Sequence, residues 1–125
     1  MKLDVDSIKP IYIQIAEWIE NKILEGTFQQ DEKVFSQYQL AEKFNINPAT
    51  AAKGLHMLSE EDILYTKRGL GKFVKEGAKE RIRDKRINET LVGLIHDLVK
   101  EARYLNVSDQ QLMNMIKSAS NQEGE

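Results

Sequence analysis

The 125-residue chain contains no cysteine. That excludes disulfides and thiolate metal sites, and it suits a reducing cytosol. Histidine is scarce as well. His56 and His96 fall on different predicted helices; His56 reads as a surface or junction residue and His96 as a helix-surface residue, neither with a ligand set around it. No apolar run approaches a membrane span, and the N-terminus has no signal-peptide core. The expectation is a cytoplasmic protein with no membrane contact. HExxH, phosphate-loop, nucleophile-elbow and dinucleotide signatures are all missing. Gly69 and Gly71 resemble a fragment of a glycine loop but lack the strand–turn–helix setting that phosphate cradling needs. Glu60, Glu61 and Asp62 most simply solvate a helix end. Neither an enzyme nor a cofactor is expected.

What is present is soluble and globular in balance, 41% hydrophobic and 30% charged, with enough chain for one modest core plus an appendage. The net charge of −2 is unevenly spread. Between Lys67 and Arg86 stand nine basic residues against three acidic ones, a net +6, so the other 105 residues sum to −8. Such a basic segment fits a polyanion footprint. It equally fits a solvated helix face laced with ion pairs, and charge alone leaves both open.

Both prolines stand where a helix can begin. After Pro10, apolar residues at Ile11, Ile15, Trp18, Ile19 and Ile23 predict an amphipathic helix that Gly26 ends. Ser36 with Gln39 has capping-box spacing and announces a short helix from about Gln37 to Phe44, with Leu40, Ala41 and Phe44 inward. Asn45 suits a left-handed helix end. Asn47 caps the next helix, Pro48 opens it, and it runs to about Glu60 with Leu55 and Leu58 buried. Its early positions Ala49, Ala51 and Ala52 are expected to be exposed. Two short helices joined so tightly predict a helix-turn-helix over about 37–56, although a plain αα-hairpin has the same pattern. Two β-rich runs, 63–67 and 72–74, flank a glycine-containing turn and add a wing over about 63–75.

A long helix is expected from about Ala78. Ile87, Leu91, Leu94, Ile95, Leu98, Ala102 and Leu105 form its apolar stripe. Asn106 breaks it, and Ser108 with Gln111 caps a last helix carrying Leu112, Met113, Ile116 and Ala119, with the tail NQEGE frayed. Two amphipathic helices cannot bury both stripes alone. They pair with a second copy, making a homodimer, or dock on the chain's own first domain. The fold class is thus mainly α with a small β-hairpin: a winged helix-turn-helix domain over 1–76, then a two-helix dimerisation region over 77–125.

PIYIQIAEWIENKILEG, QLAEKFNINPAT and LYTKRGLGKFV, in that order and spacing, resemble the winged-helix domain of the GntR bacterial transcription regulators over about residues 9–75. The short tail of two helices is similar to the YtrA-type subgroup. The resemblance implies a dimeric DNA-binding repressor, frequently of an operon encoding an ABC transporter. The chain departs from the family where Phe35 replaces a proline, Tyr38 a DNA-contacting arginine and Lys72 a common threonine. Ala52 and then Lys53 follow Thr50 where the family often has basic residues.

In this reading the second helix enters the major groove of double-stranded DNA, its N-terminal end toward the bases. Asn47 and Thr50 make phosphate or base-edge contacts, Ala49 and Ala52 touch thymine methyls, and Lys53 reaches phosphate or guanine. Ser36, Gln37 and Tyr38 lie at the start of the preceding helix, where Gln37 and Tyr38 bond phosphates. Pro48 belongs to the interface too. Lys67, Arg68, Gly69 and Lys72 form the wing that grips backbone or minor groove. A palindromic operator follows from a two-fold dimer. A protein-interaction module, or a sensor with a small-molecule effector between the dimer helices, remains the alternative.

Overall fold

The computed structural model describes residues 3–124. Helix α1, Ile11–Leu24, starts after Pro10 and ends where Gly26 turns the chain at φ 86°. Helix α2, Gln37–Phe44, has the predicted capping box in both directions: the Ser36 hydroxyl accepts from the Gln39 N–H, and the Gln39 side chain accepts from the Ser36 N–H. Each cap satisfies an otherwise orphaned amide, typically about 1 kcal/mol. Asn45, left-handed at φ 53°, ends the helix. Helix α3, Pro48–Glu60, begins at Asn47, whose side-chain oxygen accepts from the Ala49 N–H at 2.8 Å.

Strands β1, Leu64–Lys67, and β2, Gly71–Val74, pair antiparallel with Leu64 opposite Val74 and Lys67 opposite Gly71. The segment before α2 adds a short third edge, which was not expected. Lys33 bridges Phe73, the Asp31 N–H donates to the Val74 carbonyl, and the Val34 N–H donates to the Lys72 carbonyl. Strand pleating then divides the side chains. Leu64, Val74 and Val34 are buried, whereas Lys33, Tyr65, Phe73 and Lys67 belong to the other face.

Helix α4, Ala78–Lys85, follows. The chain divides into two compact units, the first ending at Asp84 and the second starting at Lys85. The first therefore extends past residue 76, because Ala78 and Ile82 are buried in its core. That core joins Ile15, Trp18, Ile19 and Ile23 of α1 to Leu40, Ala51, Leu55, Leu58, Ile63 and Val74. Trp18 is ringed by Phe28, Phe35 and Phe44 at centroid separations of 6.3, 5.8 and 5.2 Å. Ala51, expected outside, is fully buried: with Leu55 and Leu58 it completes the inward stripe at helical spacing.

The second unit differs from the expected uninterrupted helix. Arg86–Leu91 is a π-helical turn, followed by α5, Val92–Tyr104. Asn106, at φ 56°, turns the chain, and the Ser108 hydroxyl caps α6, Asp109–Glu123, by accepting from the Gln111 N–H. The expected fraying is not seen from Asn121 to Glu123, which are helical, and Glu125 lies outside the described residues. Leu91, Leu94, Ile95, Leu98, Leu105, Met113 and Ile116 are exposed, and Ile87 is half-buried. Ala102 and Leu112 are already buried within the single chain and do not belong to the open face. No helix among the described residues is long and apolar enough to cross a membrane.

Candidate nucleic-acid interface

The inward stripe of α3 fixes which of its side chains look outward. Ala51, Gly54, Leu55 and Leu58 are buried, so Asn47, Ala49 and Lys53 are exposed while Pro48, Thr50 and Ala52 are half-buried. The outward surface at the N-terminal end is small and almost uncharged. Asn47 and Ser36 spend their oxygens as acceptors on helix amides, which leaves the Asn47 amide hydrogens and the Ser36 hydroxyl hydrogen as donors. Donors are what an anion needs. Tyr38, 69% exposed, and half-buried Gln37 open α2 beside them.

The cations are not equally free. Lys53 places its ammonium 4.1 Å from the Tyr12 ring centroid, a cation–π contact of about 0.5–1 kcal/mol at an exposed site. Lys67 rests on Phe73 at 4.5 Å. Lys72 is tied down: its ammonium donates to the Ser59 hydroxyl and the Thr66 hydroxyl, both at 2.9 Å. It therefore links β1, β2 and the end of α3 instead of standing open on the wing, because it shares the inward pleat with Val74. Arg68, exposed at the tip, has no hydrogen bond or ion pair among the described residues. Gly69 and Gly71 shape that tip, with φ of 78° and 121°. In this region the chain can adopt such values only at strain unless the residue is glycine.

The basic run beyond the wing is partly structural. The Lys75 ammonium lies 3.0 Å from Asp62, holding its carboxyl below the ordinary value chiefly by that charged hydrogen bond. Arg81 donates to the carbonyls of Glu76 and Asp62. Both cations thus secure the turn between α3 and β1. Exposed His56 lies 3.3 Å from Glu60, and His96 is also exposed. No group of three or more metal-ligating side chains occurs among the described residues.

A capped helix pair, the second helix presenting its N-terminus, followed by a hairpin with a glycine-shaped cationic tip, defines a winged helix-turn-helix. Residues 11–74 match the gntR family of bacterial regulatory proteins. The chain belongs to this family of DNA-binding transcriptional regulators and is not an enzyme. It is 29% identical over 120 residues to the transcriptional repressor YtrA of Bacillus subtilis, covering 96% of this chain and 92% of that protein. A GntR family regulator from Listeria monocytogenes superposes with a TM-score of 0.74 at 30% identity, over 90% of this chain and 97% of the other. BusR of S. agalactiae, solved in complex with its busAB-promotor DNA, is 27% identical with a TM-score of 0.58, over 94% of this chain and 58% of that one.

Proposed function

We propose that the protein is a homodimeric repressor that occupies a palindromic operator, of an operon such as one encoding an ABC transporter. The observation that carries this reading is the open N-terminal end of α3, which presents the Asn47 donors and Ala49 to solvent with half-buried Thr50 beside them. The positive end of the α3 dipole and the free Asn47 amide hydrogens favour an anionic backbone, and the alanines permit close approach to thymine methyls. Arg68 at the wing tip supplies an uncommitted cation for the backbone or the minor groove.

Dimerisation is supported by the exposed apolar face of the second unit. Leu91, Leu94, Ile95, Leu98, Met113 and Ile116 exceed what a monomer ordinarily leaves in water as scattered residues. A two-fold pair would set half-sites about one helical turn apart, roughly 34 Å, or a multiple of it. The similarity to the Bacillus repressor over nearly the whole chain supports repression as the outcome.

The test is to incubate the purified protein with fragmented genomic DNA and sequence what it retains. A recurring inverted repeat in promoter DNA is expected. Retention without sequence preference, or a single non-repeated half-site, would reject the operator reading.

A further inference from the structure

We propose that Lys33, on the edge segment before α2, is a DNA-phosphate contact that supplies the cation α2 lacks at Tyr38. The inference deepens the DNA-binding reading above and rests on it. The opening turn of α2 carries Gln37, Tyr38 and Gln39 and no basic residue. Lys43, at its other end, lies over the Trp18 and Phe44 rings. Lys53 and Lys67 lie on rings and Lys72 on two hydroxyls. Lys33 is different.

Its backbone is fixed, because the bridge to Phe73 is flanked by hydrogen bonds from Asp31 to Val74 and from Val34 to Lys72, at 2.8 and 3.0 Å. Its side chain is exposed and has no hydrogen bond or ion pair among the described residues. The stem crosses Gly71 so closely that a Cβ there would meet the Lys33 Cε at 2.9 Å. Gly71 thus serves twice, turning the wing and leaving the path along which Lys33 reaches.

Lys33 lines a groove of about 300 Å³ between the wing and the start of α2, together with Ser36, Gln37, Tyr38, Lys67 and Gly69. No acidic residue lines it. The two nearest carboxylates in sequence are engaged elsewhere: Asp31 accepts from the Tyr65 hydroxyl at 2.7 Å and Glu32 from the Gln29 N–H at 2.9 Å. An ammonium on a rigid edge, with open donors beside it and no counter-charge, is arranged for a phosphate.

The experiment measures affinity of the full-length chain for an operator duplex and an unrelated duplex, with salt raised from about 50 to about 200 mM. Each phosphate contact contributes about 0.9 to the slope of log affinity against log salt. Lys33→Met should weaken both duplexes alike and lower the slope by about 0.9 per bound protomer, while Lys33→Arg retains it. Lys72→Met, which loses internal hydrogen bonds, should keep the wild-type slope. Amine-reactive labelling of the wild-type protein, read by mass spectrometry, should show Lys33 protected by bound duplex, with no variant needed. If wild-type protein binds but Lys33→Met keeps its slope, or Lys33 labels equally with and without duplex, the Lys33 assignment is overturned while DNA binding stands. If wild-type protein binds neither duplex at low salt, both fall.

Discussion

A Cβ on Gly54 would stand 2.7 Å from the carbonyl oxygen of Tyr12 and 3.1 Å from the Ile15 side chain. Helices α1 and α3 therefore touch backbone to side, with no room for a methyl group. Ala would gain about 1 kcal/mol of helix propensity over Gly. Overpacking against backbone costs about 1–3 kcal/mol, so the clash outweighs the gain. Gly54→Ala should lower the melting temperature by several degrees, followed by the fluorescence of Trp18, the only tryptophan. A variant that melts higher would show that α1 and α3 are not so close.

Thr50→Ala and Arg68→Ala separate base contact from backbone grip. The first should cost about 1–3 kcal/mol on operator DNA and little on unrelated duplex. The second should weaken both and lower the salt slope by about 1. Helicity and dimerisation should stay as in the wild type. Unchanged affinity in both variants would remove these contacts from the interface.

Charge placed on the exposed apolar face should block pairing. Leu91→Asp combined with Leu98→Asp is expected to sediment as a monomer. It should also lose operator affinity on the order of 10²-fold or more, since the second half-site is no longer tethered. A variant that remains dimeric would place the interface elsewhere.

The Asp62–Lys75 pair gives a pH dependence of definite sign. Because Lys75 holds the Asp62 carboxyl below its ordinary value, the stabilisation is present at neutral pH and is lost as the pH falls through the lowered value. Asp62 sits at φ 60°, which Asn tolerates, so Asp62→Asn removes the charge and spares the turn. The melting temperature of wild type should exceed that of Asp62→Asn at pH about 7, and the gap should close toward pH about 3. A gap that widens in acid would contradict the pairing.

Where local chemistry decides, the sequence was sufficient. Ser36 and Gln39, Asn45, and Asn47 with Pro48 mark α2 and α3 to the residue, because caps and turns are set by neighbours in the chain. The hairpin was placed within one residue by its glycines. The inward orientation of Lys72 is also readable: in a strand it must alternate with Phe73 and share the side of buried Val74. Lys33 was missed because nothing local announces an edge strand that exists only through its bridge to Phe73. The same holds for Tyr12 under Lys53. Ala51 is different, since its spacing of four and seven residues from Leu55 and Leu58 already marks the inward stripe. The small outward surface of α3 was legible, but its cations were not, since their partners lie on other elements.

Phe35, which stands where the family resemblance implies a proline, stacks on Trp18 at 5.8 Å while meeting Phe28 edge-on at 5.6 Å. A proline would confine this segment even in the unfolded chain. Phe35 confers no such stiffness; it adds ring burial to the hydrogen bonds of Asp31 and Val34 that already hold the approach to α2. Apolar burial weakens on cooling. The share of order that Ser36, Gln37 and Tyr38 draw from this contact therefore follows the temperature response of apolar burial and shrinks in the cold, leaving the edge hydrogen bonds and the Ser36 cap to hold the segment.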